Sequence, residues 1–190
     1  MKPQRANSRN YALIEAAAEL FASQGYKSTS MRDISKAVGM LPGSIYYHFP
    51  SKDDLLLAIY ASGVERITEA LEAAVEPHDD PWDRLQAGMS AHIRAITQES
   101  AGTRVIFKVE PDEVPKHASQ PIALRDRFEA QFKALVDDLP LAPWVDRHLL
   151  RLMILGAGNH ARLWFSPDGG HAPEEIGARF CRLVRDSVCG

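Results

Sequence analysis

The sequence has few of the features that mark secreted, membrane or redox proteins. Only two cysteines occur in 190 residues, Cys181 and Cys189, and their spacing matches no metal or redox motif. No apolar run approaches the roughly 18 uninterrupted residues of a membrane span. The charged N-terminal segment MKPQRANSRN has no apolar stretch after it, so we expect no signal peptide. These absences predict a reduced, cytoplasmic chain with no membrane partner.

The motifs of common enzyme classes are also missing. The sequence contains no H-E-x-x-H, no G-x-S-x-G and no P-loop, and its one Gly-x-Gly, at Gly156 and Gly158, falls inside a predicted helix. His92, His148 and His160 each stand alone on predicted helices, where a hydrogen-bonded or surface histidine is the commoner state. We therefore expect neither an enzyme nor a cofactor or metal site.

What the sequence does have is an uneven distribution of charge. The composition, 45% hydrophobic and 25% charged, is typical of a folded protein, and the net charge is −3. Residues 1–53 nevertheless carry seven Lys or Arg against four Asp or Glu, a net charge of +3, and the remainder carries −6. A basic head on an acidic body raises the question of nucleic-acid binding. The basic arm Lys2, Arg5 and Arg9 fits a solvated tail and a DNA-contacting arm equally well.

Helical periodicity runs through nearly the whole chain. Apolar residues from Tyr11 to Phe21 repeat every 3.6 positions, and Gly25 is suited to end that helix. A long helix follows Ser51 and ends near Val75. Beyond the break EPHDDP, further helices are predicted near 82–99, 102–110, 120–139, 144–165 and 173–188. The segment TRVIFKV resembles a strand most closely, but its length and surroundings favour a short helix.

Two short helices lie between these long ones, in the stretch TSMRDISKAVGMLPGSIYYHF. Ser30 is suited to cap the first, Gly39 to end it, and Pro42 to occupy the first turn of the second. Two helices joined by so tight a turn are typical of a helix-turn-helix unit. In such a unit the N-terminal end of the second helix enters the DNA major groove.

The second short helix carries more large side chains than one core can accept. Ile45 and Phe49 lie four residues apart and form the natural core pair. Tyr46, Tyr47 and His48 occupy successive positions about 100° apart, so they cannot all be buried. An outward phenol can donate a hydrogen bond to a phosphate or pack against a thymine methyl group. The alternatives are an ordinary helix surface for the tyrosines and a capping role for the histidine.

Residues 10–56, and above all TSMRDISKAVGMLPGSIYYHFPSKDDLL, resemble the DNA-binding head of TetR-family transcriptional regulators. The resemblance implies an all-α fold of about nine helices. Its helix-turn-helix DNA-binding domain would span 1–53, and its ligand-binding and dimerisation domain 54–190. The resemblance assigns Ser30 and Arg32 to positions near the DNA backbone, Ser44, Tyr46, His48 and Lys52 to phosphates, and Leu41, Pro42, Gly43 and Tyr47 to the bases. Many members carry Lys, Gln or Ser in place of Pro42, so base readout here would rely on Tyr47, the backbone and groove shape.

The resemblance also assigns roles to the C-terminal helices. It implies that the helices at 144–165 and 173–188 pair with their copies in a second subunit to form a four-helix dimer interface. The residues expected there are Leu152, Leu155, Gly156, Leu163, Ile176, Phe180, Leu183 and Val184. The alternative is an ordinary core within one chain. A glycine inside a helix costs about 1 kcal/mol relative to alanine, which a close helix approach would offset.

The helices between residues 82 and 139 would enclose an inducer pocket, by the same resemblance. Its expected lining is His92, Ile96, Phe107, Phe128 and Phe132. The segments LRDRFEAQF and HARLWFSPDGG are similar to regulators of lipid or acyl-CoA catabolism. We thus expect a repressor that binds a palindromic operator as a homodimer and is released by a small molecule. The alternative is a constitutive DNA-binding protein or a partner-regulated adaptor without an inducer.

Overall fold

The computed structural model of the chain describes residues 3–98, 100–108 and 119–188, with the side chains of 3–9, 42, 106–108 and 119–121 left outside the description. Across these ranges the regular structure is entirely helical. In chain order the helices are α1 (Pro3–Gln24), α2 (Met31–Ala37), α3 (Pro42–His48), α4 (Lys52–Val75), α5 (Pro81–Thr97), α6 (Ala101–Lys108), α7 (Ser119–Asp137), α8 (Arg147–Trp164) and α9 (Pro173–Val188). The all-α prediction is confirmed. Within the same ranges, no helix is both long enough and apolar enough to span a membrane.

The observed helix ends agree best with the predicted ends where a glycine follows the helix. Gly25 and Gly39 both have positive φ, +88° and +64°, and they follow the ends of α1 and α2. The start of α1 is less well predicted, because the helix begins at Pro3 and so includes the backbone of Arg5 and Arg9. Lys2 and the side chains of both arginines lie outside the described part of the chain. The strand-like segment at 103–109 is helical through Lys108, as predicted.

The chain divides into two compact units. The first comprises Met1–Val64 and Glu99–Leu124, and so joins the helix-turn-helix to α6. Its buried core includes apolar residues from α1 to α4 together with two from α6, among them Leu13, Ala17, Phe21, Ile34, Ile45, Leu55, Ile59, Ala101 and Val105. An ion pair between Arg104 and Glu19, 2.7 Å apart, also joins α6 to α1. The predicted domain boundary after residue 53 stays a prediction.

The second unit comprises Glu65–Gln98 and Arg125–Gly190, and α5 packs against both α8 and α9 within it. A Cβ atom on Gly177 of α9 would lie 2.6 Å from the Cα of Ser90 in α5, so the two backbones almost touch. The Ser90 hydroxyl donates to the carbonyl oxygen of Glu174, 3.0 Å away. Cys181 is buried here, and burial raises the pKa of its thiol to about 11, in keeping with a reduced, unreactive cysteine. Cys189 lies outside the described residues.

Candidate DNA interface, dimer surface and ligand site

The first helix of the helix-turn-helix is held by a capping box. The Ser30 hydroxyl accepts a hydrogen bond from the Asp33 amide at 3.2 Å, and the Asp33 carboxylate accepts one from the Ser30 amide at 3.0 Å. These contacts satisfy amides that the helix itself leaves unpaired. Hydrogen bonds from Ser30 also hold the pKa of Asp33 below its usual range. Ser30, expected near the DNA backbone, thus also orders the start of α2.

The turn between α2 and α3 fixes the direction in which α3 leaves. Gly39 adopts a φ of +64°, which side chains with a Cβ rarely adopt, and its amide donates to the carbonyl of Lys36 at 3.2 Å. The Met40 amide donates to the Ser35 carbonyl at 2.9 Å. Ile45 then anchors α3, because its side chain is fully buried in the core of the first unit. The turn and the buried Ile45 therefore set the direction in which the outer face of α3 points.

That outer face carries the residues expected to point away from the core. Leu41 is 77% exposed and Tyr47 87% exposed, and Tyr46 is also exposed. Gly43 and Ser44 are exposed at the N-terminal end of α3. Half-buried His48 packs its ring edge-on against Tyr47 with centroids 5.4 Å apart, while the side chain of Pro42 lies outside the description. The exposed surface of Leu41, Gly43, Ser44, Tyr46 and Tyr47 is hereafter the α3 face.

The positively charged side chains near this face differ in their exposure and in their hydrogen bonds. Arg32 of α2 is exposed, and so is Lys36 one turn later. Lys52, expected at a phosphate, instead donates hydrogen bonds to the carbonyl oxygens of Tyr26 at 2.8 Å and Thr29 at 3.0 Å. Its ammonium also lies 4.3 Å from the centre of the Tyr26 ring. Lys52 thus has two hydrogen-bond partners inside the first unit, and its predicted contact with a phosphate stays a prediction.

The residues expected at a dimer interface fall into two groups. Leu155, Ile176 and Val184 are buried in the core of the second unit, so they stabilise the chain's own fold. Leu152, Leu163 and Leu183 are exposed, and Phe180 is half-buried beside Trp164. A Cβ atom on exposed Gly156 would meet nothing within 4 Å.

Three further apolar residues of α8 are exposed, namely Leu149, Met153 and Trp164. Leu149 and Met153 follow the same helical spacing as Leu152 and Gly156 on this helix. Met153 and Leu183 line an apolar cavity of about 260 Å³ between α5, α8 and α9. The exposed residues Leu149, Leu152, Met153, Gly156, Leu163, Trp164 and Leu183 are hereafter the α8–α9 face.

The residues expected around a ligand converge on a buried histidine. The His92 ring lies 5.3 Å from the Phe128 ring and 5.5 Å from the Phe132 ring, which are 5.6 Å from each other. Ile96 is buried on the same helix as His92, and the side chain of Phe107 lies outside the described residues. We refer to His92, Phe128 and Phe132 as the His92 cluster. The described residues contain no group of three or more His, Cys, Asp or Glu that could hold a metal ion.

The protonation state of His92 follows from its burial. Desolvation lowers the pKa of the imidazole to about 4, although a hydrogen bond to Asn159 partly opposes the shift. The Nε2 atom lies 2.9 Å from the Oδ1 atom of Asn159 on α8. The Nδ1 atom is buried without a partner among the described residues. At neutral pH the ring is thus uncharged. Its Nε2 atom is hydrogen-bonded to Asn159, and its Nδ1 atom is vacant, that is, without a hydrogen-bond partner among the described residues.

Family models match both parts of the chain. Residues 13–59 match the model of bacterial regulatory proteins of the tetR family, and residues 78–188 match the tetracyclin repressor-like C-terminal domain. Together these segments contain α3 with its exposed face and both helices of the α8–α9 face.

Individual relatives match over nearly the whole length. The HTH-type transcriptional repressor KstR2 of Mycobacterium tuberculosis is 30% identical over 96% of this chain and 94% of its own. The HTH-type transcriptional activator FasR of Mycolicibacterium smegmatis is 28% identical over 85% of this chain and 74% of its own. The crystal structure of AibR in complex with isovaleryl coenzyme A and operator DNA superposes with a TM-score of 0.77 at 25% identity, covering 92% of this chain and 97% of AibR.

Proposed function

This chain belongs to the TetR family of bacterial transcriptional regulators, and we propose that it is a repressor that binds a palindromic operator as a homodimer and is released by a small molecule. Family membership makes it a DNA-binding regulator and not an enzyme. The repressor assignment draws support from the similarity to KstR2, whereas the match to the activator FasR is shorter. Deleting the gene should raise transcription from its target promoter, and lowered transcription would make the protein an activator.

The α3 face is the observation that carries the proposal of operator binding. Two tyrosines stand exposed on α3 and a leucine stands exposed just before it, and the helix is anchored by the fully buried Ile45. Exposed apolar and phenolic groups on a rigid helix can contact thymine methyl groups and phosphates, while Arg32 and Lys36 supply nearby positive charge. A mobility-shift assay on DNA upstream of the protein's own gene tests this. A specific complex that resists competitor DNA is expected.

The α8–α9 face supports a homodimer. It presents several large apolar side chains in succession on two adjoining helices, and an exposed patch of this kind marks an interaction surface. A two-fold dimer would present two copies of α3 to half-sites one DNA turn apart, roughly 34–36 Å. Sedimentation equilibrium should therefore give twice the chain mass of 21.1 kDa.

An acyl-CoA thioester is the ligand class that we propose. Support comes from the aromatic His92 cluster within the second unit and from AibR, whose structure contains isovaleryl coenzyme A. A ligand that releases DNA must bind the DNA-free arrangement of the protein more tightly, and such coupling amounts to about 1–3 kcal/mol, or 5- to 150-fold in affinity.

The ligand proposal is tested by titrating short- and medium-chain acyl-CoA thioesters into the preformed protein–DNA complex. Release of the operator at micromolar ligand is expected, with free coenzyme A as the control. By reciprocity, operator DNA should weaken ligand binding by the same factor. A panel that binds the free protein without changing its operator affinity would favour a constitutive or partner-regulated DNA-binding protein.

A further inference from the structure

In the described part of the second unit, the Nδ1 atom of His92 is the one buried side-chain nitrogen or oxygen without a hydrogen-bond partner. His92 is 2% exposed, and its Nδ1 atom has no hydrogen-bond partner among the described residues. A buried polar atom without a partner costs about 1–3 kcal/mol, so proteins seldom keep one without a use. The two rings beside it, those of Phe128 and Phe132, offer no hydrogen bond through their side chains.

The contacts on the opposite edge of the His92 ring determine whether Nδ1 is a hydrogen-bond donor or acceptor. The Nε2 atom faces the carbonyl oxygen Oδ1 of Asn159, which accepts hydrogen bonds only, so Nε2 carries the proton. In the neutral imidazole Nδ1 is then an acceptor. Gly158 packs against the same edge, since a Cβ atom there would lie 3.1 Å from Cδ2 of His92. The ring is therefore held by α8 on one side, and its acceptor nitrogen lies on the other.

We propose that Nδ1 of His92 accepts a hydrogen bond from a hydroxyl group on the ligand, so that the protein prefers a hydroxylated acyl chain to its unsubstituted or keto counterpart. This assignment rests on the proposed function, because it names the chemistry that the ligand presents to the His92 cluster. A hydroxyl donates to Nδ1 while leaving the Nε2–H bond to Asn159 intact. A keto oxygen is an acceptor, so it leaves Nδ1 unpaired or forces the proton from Nε2 to Nδ1.

The apolar part of such a ligand also has a fitting environment. Phe132 is fully buried, whereas Phe128 is only partly buried, so the cluster reaches the surface through Phe128. The hydrocarbon chain beyond the hydroxyl-bearing carbon can pack on these rings and adds no polar group there. The single acceptor in an otherwise apolar cluster is then sufficient to distinguish ligands by one hydroxyl group.

The test compares octanoyl-CoA with its β-hydroxy and β-keto derivatives on the full-length protein. Isothermal titration calorimetry should show the β-hydroxy thioester binding about tenfold to a hundredfold more tightly than either of the others. His92→Phe keeps an aromatic ring beside Phe128 and Phe132 and should abolish this preference. His78→Phe, which alters an exposed histidine, should retain it.

A second measurement is independent of any variant. Nitrogen-15 spectra of the wild-type imidazole groups should show an unprotonated Nδ1 in His92, and its resonance should shift when the β-hydroxy thioester binds. Equal affinity for the three thioesters would overturn the hydroxyl assignment while leaving an acyl-CoA-responsive repressor intact. A protonated Nδ1 in the free protein would also overturn it. Failure of all three thioesters to bind would reject both the assignment and the ligand class proposed above.

Discussion

The ammonium nitrogen of Lys52 lies 2.8 Å from the carbonyl oxygen of Tyr26 and donates a hydrogen bond to it. A second bond to the Thr29 carbonyl at 3.0 Å holds the same group. The neighbouring residue Asp53 accepts a hydrogen bond from the Tyr26 hydroxyl. The start of α4 is thereby joined to the turn between α1 and α2, which makes Lys52 a positioning residue of the DNA-binding head.

Lys52→Met should lower the free energy of unfolding by about 1–3 kcal/mol, because two carbonyl oxygens lose a charged donor. Thermal denaturation measures this effect. We expect the slope of log operator affinity against log salt to stay at its wild-type value, because the Lys52 ammonium is engaged by the Tyr26 and Thr29 carbonyl oxygens. Lys36→Met, which removes an exposed charge, should leave the unfolding temperature unchanged. If Lys52→Met keeps wild-type stability but reduces the salt slope by about one, Lys52 contacts a DNA phosphate.

Tyr47→Ala should weaken specific operator binding by roughly 1–3 kcal/mol and reduce the discrimination among operator variants. The reason is that the Tyr47 side chain is 87% exposed on α3 and supports little of the core. Fluorescence anisotropy with wild-type and singly mutated operators gives both quantities. Tyr47→Phe separates the ring from the hydroxyl, since it keeps any contact with a thymine methyl group. Undiminished discrimination by the alanine variant would exclude Tyr47 from base readout.

Gly156→Leu should disrupt the homodimer without harming the single chain. A Cβ atom at this position meets nothing within 4 Å in the described part of its own chain, so we expect the added side chain to clash with a second copy. Overpacking of this kind costs roughly 1–3 kcal/mol. Sedimentation velocity at micromolar concentration should show a monomer, and operator affinity should fall in parallel.

Gly170 offers a matched control for the dimer experiment. It also has open space around its Cβ position but lies in the loop between α8 and α9. Gly170→Leu should therefore remain a dimer with wild-type operator affinity. If Gly156→Leu is equally dimeric and binds DNA normally, the two subunits meet on another surface.

His92 should make stability depend on pH between about 6.5 and 4. The folded-state pKa is about 4 against an ordinary value of 6.5, so the unfolded chain binds the additional proton in this interval. Stability is thus complete above pH 6.5 and falls as the pH is lowered, by at most about 1.4 kcal/mol per pH unit and about 3 kcal/mol in all. Urea unfolding at several pH values measures the effect. His92→Phe should remove most of this pH dependence, whereas His78→Gln, which alters an exposed histidine, should keep it. If the His92→Phe variant shows the wild-type pH dependence, His92 is not its cause.

Local sequence signals account well for the head of the protein. Ser30 and Asp33, three residues apart, form the capping box, and Gly39 takes the positive φ that ends α2. Ile45 is buried while Tyr47 is exposed because neighbouring positions on a helix face different directions. These features depend on contacts within a few residues, which is the range that sequence patterns report.

Features that depend on distant residues were harder to predict. Lys52 has the position of a phosphate contact in its motif, but its partners lie 23 and 26 residues away in the sequence. On α8 and α9, Leu155, Ile176 and Val184 show the same apolar periodicity as Leu152 and Leu183. The periodicity cannot tell a stripe that faces α5 from one that faces outward.

The sequence by itself determined the all-helical fold, the helix-turn-helix and membership of a DNA-binding family, because capping residues, glycine positions and helical periodicity act locally. Only the tertiary structure decided which charged and apolar groups remain available to partners. It placed the Lys52 ammonium on the Tyr26 and Thr29 carbonyls, and it left Gly156 open. It also buried His92 with one nitrogen bonded to Asn159 and the other vacant. Each of these outcomes depends on how distant segments pack in the folded chain, and that packing joins or separates residues that no local pattern connects.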